Sequence, residues 1–461
     1  MKGRFIGENG LILHLLLHQA RYRQYPGIGM LLDQEKAYDR TVFQQRVSPL
    51  LFNLALEPFL LSIQQDSEIV GYGYELDRIP RFVKTIAYAD DVCVVLKTQD
   101  EFTRLQNHLI QYSNVSNAKF NQTKTEAFSL NGNKDADWER YLLQHRISTY
   151  HTKFSVIPFR YLDFCMAYTI NQRNVIQDKI FHEVKEQVNM YSSRQLSLRG
   201  GATVANTLIM SKICLKSTIY ACVWQNKRPL VSFSQLCLPL SQGGVGLLQP
   251  ATQHLVLQVG HLHHVFRPTS PSSLFRPLFK HHMRLITPAP MPPELSFFVP
   301  EWRPHPLNHP TSIVNACYKA FDHFGIKFDF SGCSLATSLQ LPLHYLFQSY
   351  PTNHWLSRHP KFLASNFFIY DSRLRLKLRP YLFDHIVTDV EEQTQLVPNI
   401  NILVSQLQHN QNWHSYTSTG FRNLNINWTL SLFSSIPAKD FKTFWSLPIS
   451  LPARNHWYRA V

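Results

Sequence analysis

Several features that would assign the chain to other classes of protein are missing from its 461 residues. No apolar run approaches the roughly 18 residues that a membrane-spanning helix needs, so we expect no membrane partner. The seven cysteines form no Cys-x-x-Cys pair and signal neither a zinc knuckle nor a disulfide framework. The apolar stretch near the start is interrupted by polar residues and is followed by no small-residue cleavage site. We therefore expect an intracellular protein, nuclear or cytoplasmic, that is not secreted.

Acidic residues are also in the minority. The chain has 31 Asp plus Glu against 46 Lys plus Arg, which gives a net charge of +15. A polyanion is therefore the expected partner, and we expect nucleic acid rather than the weaker alternative, an anionic membrane surface. Hydrophobic residues make up 44% of the chain and aromatic residues 13%, enough for packed cores in several domains or subdomains.

The region from residue 27 to residue 130 alternates between strand-like and helix-like patterns. The expected elements are a strand over 27–32 that ends at Asp33, a helix over 48–63, strands over 82–88 and 92–96 joined by a tight turn, a helix over 101–113 and a strand over 125–130. This order predicts an α+β fold with the ferredoxin-like arrangement β-α-β-β-α-β. In that fold the first and third strands are antiparallel neighbours, so Asp33 should converge with Asp90 and Asp91.

Clustered carboxylates of this kind suit a particular chemistry. Two divalent metal ions about 3.5 to 4 Å apart serve phosphoryl transfer, and Mg²⁺ prefers oxygen ligands. An Asp-Asp pair at a hairpin tip is, however, also ordinary turn chemistry. The dipeptide alone therefore does not decide between a metal site and an inert turn.

The sequence around these acids resembles a known family. Residues 85–95 (TIAYADDVCVV) resemble the Tyr-Ala-Asp-Asp block of reverse transcriptases, and residues 32–40 (LDQEKAYDR) resemble the Asp-x-x-Lys-Ala-Phe/Tyr-Asp block of the LINE-type enzymes. Residues 48–53 and 121–126 are similar to the third and fourth polymerase blocks, and Tyr161-Leu162 stands where the family has Tyr-Leu-Gly. The chain thus resembles reverse transcriptases of non-LTR (LINE-type) retrotransposons over most of its first 250 residues and its last 20.

The resemblance implies an RNA-directed DNA polymerase that uses Mg²⁺ or Mn²⁺, an RNA template, a DNA primer and deoxynucleoside triphosphates. Asp33, Asp90 and Asp91 would be the catalytic metal ligands. Tyr38 would pack under the incoming sugar, and Lys124 would neutralise the triphosphate or protonate the leaving pyrophosphate. The alternatives are a core aromatic for Tyr38 and a solvated strand-edge lysine for Lys124.

The domain organisation implied by the resemblance has four parts. Residues 1–26 would be a remnant of the fingers, 27–170 the palm, 171–250 a helical thumb, and 251–461 a mostly α C-terminal region of unknown role that precedes a missing zinc region. Four thumb residues would hold the template and primer backbones: Lys179, Lys185, Arg194 and Arg199. Each of them, taken singly, is also typical of a solvated helix face.

The sequence departs from the family pattern in several places. Only seven residues, 41–47, separate Arg40 from Ser48, where the family has a longer segment that ends in a Gln-Gly block and closes over the nucleotide. Asp163 replaces the Gly of Tyr-Leu-Gly, and Gly201 stands where the thumb usually has Arg. The chain is interpreted as a truncated, internally deleted copy or as a gene model that has lost coding sequence. Two functions follow, an impaired polymerase and a catalytically inactive, retrotransposon-derived nucleic-acid-binding remnant.

Overall fold

A computed structural model gives the fold of residues 6–34, 49–89, 91–116, 120–121, 123–162, 164–192, 194, 196–209, 231–266, 274–286, 296–297, 303, 312–324, 339, 364–370, 376–378 and 443. The helices are α1 (Ile6–Tyr22), α2 (Pro49–Gln65), α3 (Gln99–Ser116), α4 (Ala136–Gln144), α5 (Ile170–Ser192), α6 (Leu198–Val204), α7 (Phe233–Cys237), α8 (Pro250–Phe266), α9 (Phe275–Ile286) and α10 (Ile313–His323). The strands are β1 (Ile28–Leu32), β2 (Tyr72–Leu76), β3 (Ile79–Val83), β4 (Thr85–Tyr88), β5 (Asp91–Leu96), β6 (Glu126–Ser129), β7 (Tyr150–His151), β8 (Phe159–Tyr161), β9 (Phe164–Met166), β10 (Phe368–Tyr370) and β11 (Leu376–Leu378).

The chain forms two compact units. One comprises Met1–Asp178 together with Pro271–Ile286, and the other comprises Lys179–Ser270 together with Thr287–Val461. Helix α9 therefore belongs to the first unit, although it follows α8 of the second unit in the sequence. Within the described parts of the chain, no helix combines the length and the apolar character that crossing a membrane requires.

The first unit is built on a five-stranded sheet with the order β4-β5-β1-β6-β7. Strand β1 is central and pairs antiparallel with β5 on one side and with β6 on the other, while β6 and β7 are parallel. Because β5 is antiparallel to both β1 and β4, strands β1 and β4 run parallel, and α2 lies between them in the sequence. The mixed α+β class expected from the sequence is thus confirmed.

Side chains alternate between the two faces of this sheet because a strand repeats every two residues. Ile28, Met30 and Leu32 of β1 join a buried cluster with Phe59 of α2 and Phe102 of α3. The intervening residues of β1 face the other side, where they meet a second apolar layer. Helix α2 continues to Gln65 past Pro58, two residues beyond the end expected from the sequence.

Gly29 lies on that second face, under the ring of Phe128, which stacks on Phe159 with 4.2 Å between ring centroids. A Cβ at Gly29 would overlap the Phe128 ring. We expect Gly29→Ala to lower the free energy of unfolding by about 1–3 kcal/mol, measured by urea unfolding, because overpacking displaces the ring pair. Gly73→Ala is the matched control, since a Cβ there would be 3.4 Å from Phe82. Equal stability of the two variants would contradict this account.

The region between α2 and β4 differs from the expectation. Residues 82–88 were expected to form one strand, but they are divided between β3 and β4 at Lys84, and β3 forms a separate hairpin with β2. The ammonium of Lys84 donates hydrogen bonds to the carbonyls of Gln64 (2.9 Å) and Asp66 (2.6 Å) at the C-terminal end of α2. A cation at a helix C-terminus satisfies carbonyls that lack partners within the helix. This capping contact accompanies the break between the two strands.

The second unit begins within α5, at Lys179, and contains the helices α6, α7, α8 and α10. The range 171–223, expected to be mainly helical, contains α5 from residue 171 onward, α6 and a π-helical turn at Ala205–Ile209, whereas 210–223 lie outside the described residues. Val184 and Val188 of α5 pack with Leu198 and Ala202 of α6 in one buried cluster. The role of these helices as a thumb, and the four domain boundaries expected from the sequence, stay predictions.

Candidate active site

Asp33 directly follows the central strand. Strand β1 is held by hydrogen-bonded partners on both sides, so the position of Asp33 is fixed by the sheet rather than by a loop. Its carbonyl accepts a hydrogen bond from the backbone N–H of Asn121 at 2.8 Å. Its side chain is 44% exposed. The carboxylate is therefore anchored through its backbone and open to a ligand.

The second acidic position lies on the β4–β5 hairpin. Tyr88, the last residue of β4, pairs with Asp91, the first residue of β5. Ala89 has a φ of +52°, a conformation that non-glycine residues adopt rarely and at a cost. Such strain is typical of functional turns that the surrounding structure holds in place. Asp90 itself lies outside the described residues.

The two described carboxylate positions are neighbours. The last pair of the β1–β5 ladder is Leu32 with Val92, so Asp33 and Asp91 each stand one residue beyond it, on adjacent strands. Asp33 is an even number of residues from Gly29 on β1, and Asp91 is an even number of residues from Cys93 on β5. Gly29 and Cys93 face the same side of the sheet, and side chains alternate along a strand, so Asp33 and Asp91 face that side as well. Asp91 is exposed, as is much of Asp33. The convergence of the strand ends thus brings together the two acids whose positions are described.

A basic side chain accompanies Asp33. The Nζ atom of Lys124 lies 3.9 Å from Oδ2 of Asp33, and the lysine side chain is 70% exposed. The turn that carries Lys124 is organised by Asn121, whose Oδ1 accepts hydrogen bonds from the backbone N–H groups of Thr123 (3.1 Å) and Lys124 (3.3 Å). An exposed pair of this kind contributes little to stability. Lys124 is therefore available to a charged ligand.

The donors at this edge fit a hard divalent cation. Carboxylate oxygens are the ligands that Mg²⁺ prefers, and it usually takes one or two of them together with substrate phosphates. Within the described residues, no group of three or more His, Cys, Asp or Glu side chains is placed to hold a metal ion. The predicted set Asp33, Asp90 and Asp91 is described at two of its three positions.

The other predicted site residues divide into two groups. Tyr38 lies outside the described residues. Lys179 and Lys185 on α5, Arg194, and Arg199 on α6 are all exposed and belong to the second unit. The guanidinium of Arg194 also lies 5.2 Å from the ring centroid of Tyr191. Exposure suits contact with a nucleic-acid backbone and equally suits a solvated helix face.

Sequence reasoning gave no role to two residues near the hairpin. The hydroxyl of Tyr161 donates a hydrogen bond to the carbonyl of Ile86 at 2.9 Å, and Asn9 Nδ2 donates to the carbonyl of Ala87 at 2.9 Å. Both carbonyls belong to β4. In the sequence, Tyr161 belongs to the family-like pair Tyr161-Leu162, and Asn9 belongs to residues 1–26, the expected remnant of the fingers.

The comparison with known families bears on this segment. Residues 33–166 match the family model described as reverse transcriptase (RNA-dependent DNA polymerase). This segment is similar to reverse transcriptase domains. It extends from Asp33 to Met166 and so includes Asp91, Lys124 and Tyr161. Reverse transcriptase domains in general act on a nucleic-acid template and primer with deoxynucleoside triphosphates and divalent metal ions.

Proposed function

We propose that the chain is an RNA-directed DNA polymerase of the non-LTR retrotransposon type, impaired by the short segment between Arg40 and Ser48. The five-stranded sheet would be its ferredoxin-like palm and the helices from α5 onward its thumb. The observation that carries the proposal is the placement of Asp33 and Asp91 side by side on one sheet face, inside the segment that matches reverse transcriptases.

The residues of this edge have distinct roles in that reaction. When bound, a pair of Mg²⁺ or Mn²⁺ ions supplies activation of the primer hydroxyl and stabilisation of the leaving oxygen. Asp33, Asp90 and Asp91 supply the negative charge and the oxygen ligands that hold such ions. Lys124 neutralises the triphosphate or donates a proton to the leaving pyrophosphate. Tyr38 contacts the incoming sugar, and the exposed bases of α5 and α6 hold backbone phosphates.

The test is single-nucleotide extension of a DNA primer on an RNA template with Mg²⁺ or Mn²⁺. Asp90→Ala and Asp33→Asn are each expected to lower the rate at least about 10²-fold, because each removes a metal ligand. Asp137→Asn is the matched control, since this exposed carboxylate on α4 pairs with Arg140 at 3.6 Å. Extension that survives loss of Asp33 and of Asp90 would contradict the polymerase assignment.

One observation favours the second candidate, a nucleic-acid-binding remnant without catalysis. The family-like segment with its Gln-Gly block is absent between Arg40 and Ser48, while the net charge of +15 is retained. The same proteins therefore need a binding measurement on the primer–template in rising salt, where affinity should fall steeply as phosphate contacts release counterions. Steep salt dependence without any Asp90-dependent extension would favour the remnant.

A further inference from the structure

Within the part of the chain that the structure describes, strand β4 lies at an edge of the five-stranded sheet and pairs with β5 alone. Two side chains from other elements bind its successive carbonyls. Tyr161 of β8 donates to Ile86 O, and Asn9 of α1 donates to Ala87 O, each at 2.9 Å. The next residue, Tyr88, pairs with Asp91 and closes the turn. These two contacts therefore restrain β4 immediately before the carboxylates.

The two donors belong to one packed layer. Helix α1 and strand β9 approach so closely that a Cβ at Gly10 would be 2.5 Å from an atom of the Phe164 ring. Gly10 follows Asn9 in α1, and Phe164 belongs to the strand that pairs with β8. Because α1 contacts β9, which pairs with β8, Asn9 and Tyr161 bind β4 from elements that are packed against each other.

The hydroxyl of Tyr161 is well suited to a fixed hydrogen bond. Burial raises the pKa of Tyr161 well above its ordinary value, and electrostatic interaction with Cys93 and Asp91 acts in the same direction. The hydroxyl therefore keeps its proton at neutral pH and acts as a hydrogen-bond donor. The side chain is 3% exposed, so water does not replace Ile86 O as its acceptor.

We propose that Tyr161 is a positioning residue for the metal-binding carboxylate of Asp91: its hydroxyl, with the amide of Asn9, fixes β4 and thereby the Tyr88–Asp91 pair at which β5 begins. This inference rests on the proposed function. Ala89 has a strained backbone conformation, and such a conformation persists only when the surrounding structure holds it. The two hydrogen bonds to β4 supply this restraint. Metal ligands need to be placed within a few tenths of an ångström.

Tyr168 provides the control that distinguishes a positioning role of the Tyr161 hydroxyl from a purely stabilising one. Its buried hydroxyl donates to Ser129 O at 2.5 Å, so it also binds a strand carbonyl of the same sheet. Ser129 pairs with Ile28 at the start of β1, whereas the carboxylates lie at the other end. Tyr168→Phe therefore removes an equivalent hydrogen bond away from the site.

The experiment measures Mn²⁺ binding to the full chain by electron paramagnetic resonance, in wild type and in Tyr161→Phe, Tyr168→Phe, Asn9→Ala and Asp91→Asn. We expect Tyr161→Phe to weaken the Asp91-dependent binding about 10-fold and Asn9→Ala to weaken it in the same direction, as for supporting contacts of metal ligands. Tyr168→Phe should leave the Mn²⁺ binding unchanged. The urea midpoint of the Tyr168→Phe variant should nevertheless fall as much as that of Tyr161→Phe. In primer extension, Tyr161→Phe should lower kcat and leave the KM for the nucleotide nearly unchanged.

The outcomes separate this inference from the function on which it rests. Mn²⁺ binding that is unaffected by Asp91→Asn would overturn the proposed function and the positioning role with it. Asp91-dependent binding that Tyr161→Phe leaves intact, or that Tyr168→Phe weakens equally, would overturn the positioning role alone. If Tyr161→Phe fails to fold, Asn9→Ala decides, because it removes the other donor to β4 without touching the buried phenol.

Discussion

Lengthening the connection between Arg40 and Ser48 with a family-like segment that ends in Gln-Gly is expected to raise nucleotide incorporation at least about 10²-fold. Phosphoryl transfer depends on holding the nucleotide in line with the primer hydroxyl, and a misplacement of about 1 Å can cost that much. Metal ions and their carboxylates hold the phosphates but not the base and sugar. The missing segment is the part of the family pattern that closes over the nucleotide.

The fold is expected to tolerate both the short connection and the longer one. Strand β1 ends at Leu32 and α2 begins at Pro49, so 16 residues separate them, a reach of roughly 50 Å when extended. Adding residues to such a connection costs only about 0.6 kcal/mol for each doubling of its length. A gain in activity would therefore report on the pocket and not on a rescued fold.

The measurement is single-turnover extension by the lengthened chain, by the unmodified chain and by the lengthened chain carrying Asp90→Ala. The last variant should lose the whole gain. An inserted Gly/Ser segment of the same length is the matched control and should give no gain, since it lacks the Gln-Gly block. Robust, Asp90-dependent synthesis by the unmodified chain would show that the short connection does not impair it.

Elements that are set by short runs of neighbouring residues could be predicted from the sequence. The strand before Asp33 shows as an apolar run, and the β4–β5 hairpin shows as two apolar runs around a short polar turn. The β2–β3 hairpin was missed because four of the five residues of β3 are exposed and give no alternation. The docking of α9 was missed because its contacts, such as the Gln19 amide with Leu278 O at 2.9 Å, join residues 259 apart in the sequence.

The candidate site also has features that the sequence predicts and features that it does not. The adjacency of Asp33 and Asp91 follows from strand order alone, and a family-like block pointed to Lys124. The role of Tyr161 was not predictable, because its acceptor is a backbone carbonyl 75 residues away and any residue type would supply it. The left-handed conformation of Ala89 was also not predictable, since glycine or asparagine is the usual residue at such a position.

Acidification from pH 7 to pH 5 is expected to release α9 from the first unit. His281 and His282 of α9 are both buried, and each has a pKa of about 4, well below the ordinary 6.5. Burial is the main cause for both. The charges of Arg23 and Arg284 lower the pKa of His281 further, against the hydrogen bond to Glu75 O that raises it, and His14 and His281 lower that of His282.

The surroundings of the pair are described on each packed element. His281 Nδ1 lies 2.9 Å from Glu75 O of β2, and its ring lies 4.9 Å from that of Tyr74. On α1, the ring of His18 contacts His282 edge-on at 5.9 Å. Arg284 pairs with Asp77 of the hairpin turn. No carboxylate is thus described beside His282 to stabilise its protonated form.

The direction and size of the effect follow from proton linkage. A histidine whose folded pKa is lowered contributes stability above its unfolded pKa, and this is lost as the pH falls from about 6.5 toward 4. Each group contributes about 1.4 kcal/mol per pH unit within that window, so the two together lose about 3 to 4 kcal/mol between pH 7 and pH 5. A loss of this size is a large fraction of the stability of a typical domain.

Hydrogen exchange of the amides in α9 checks this, with rates at pH 5 and pH 7 corrected for intrinsic exchange. Protection at pH 5 should be lower by about 10²-fold or more, the equivalent of the lost free energy. His282→Met removes one titrating group and keeps the site apolar, so it should remove about half of the pH dependence even if it alters stability at pH 7. His182→Gln is the control, because this α5 histidine is 74% exposed and pairs with Glu186. Protection of α9 that stays constant from pH 7 to pH 5 would show that the buried pair does not couple its docking to protons.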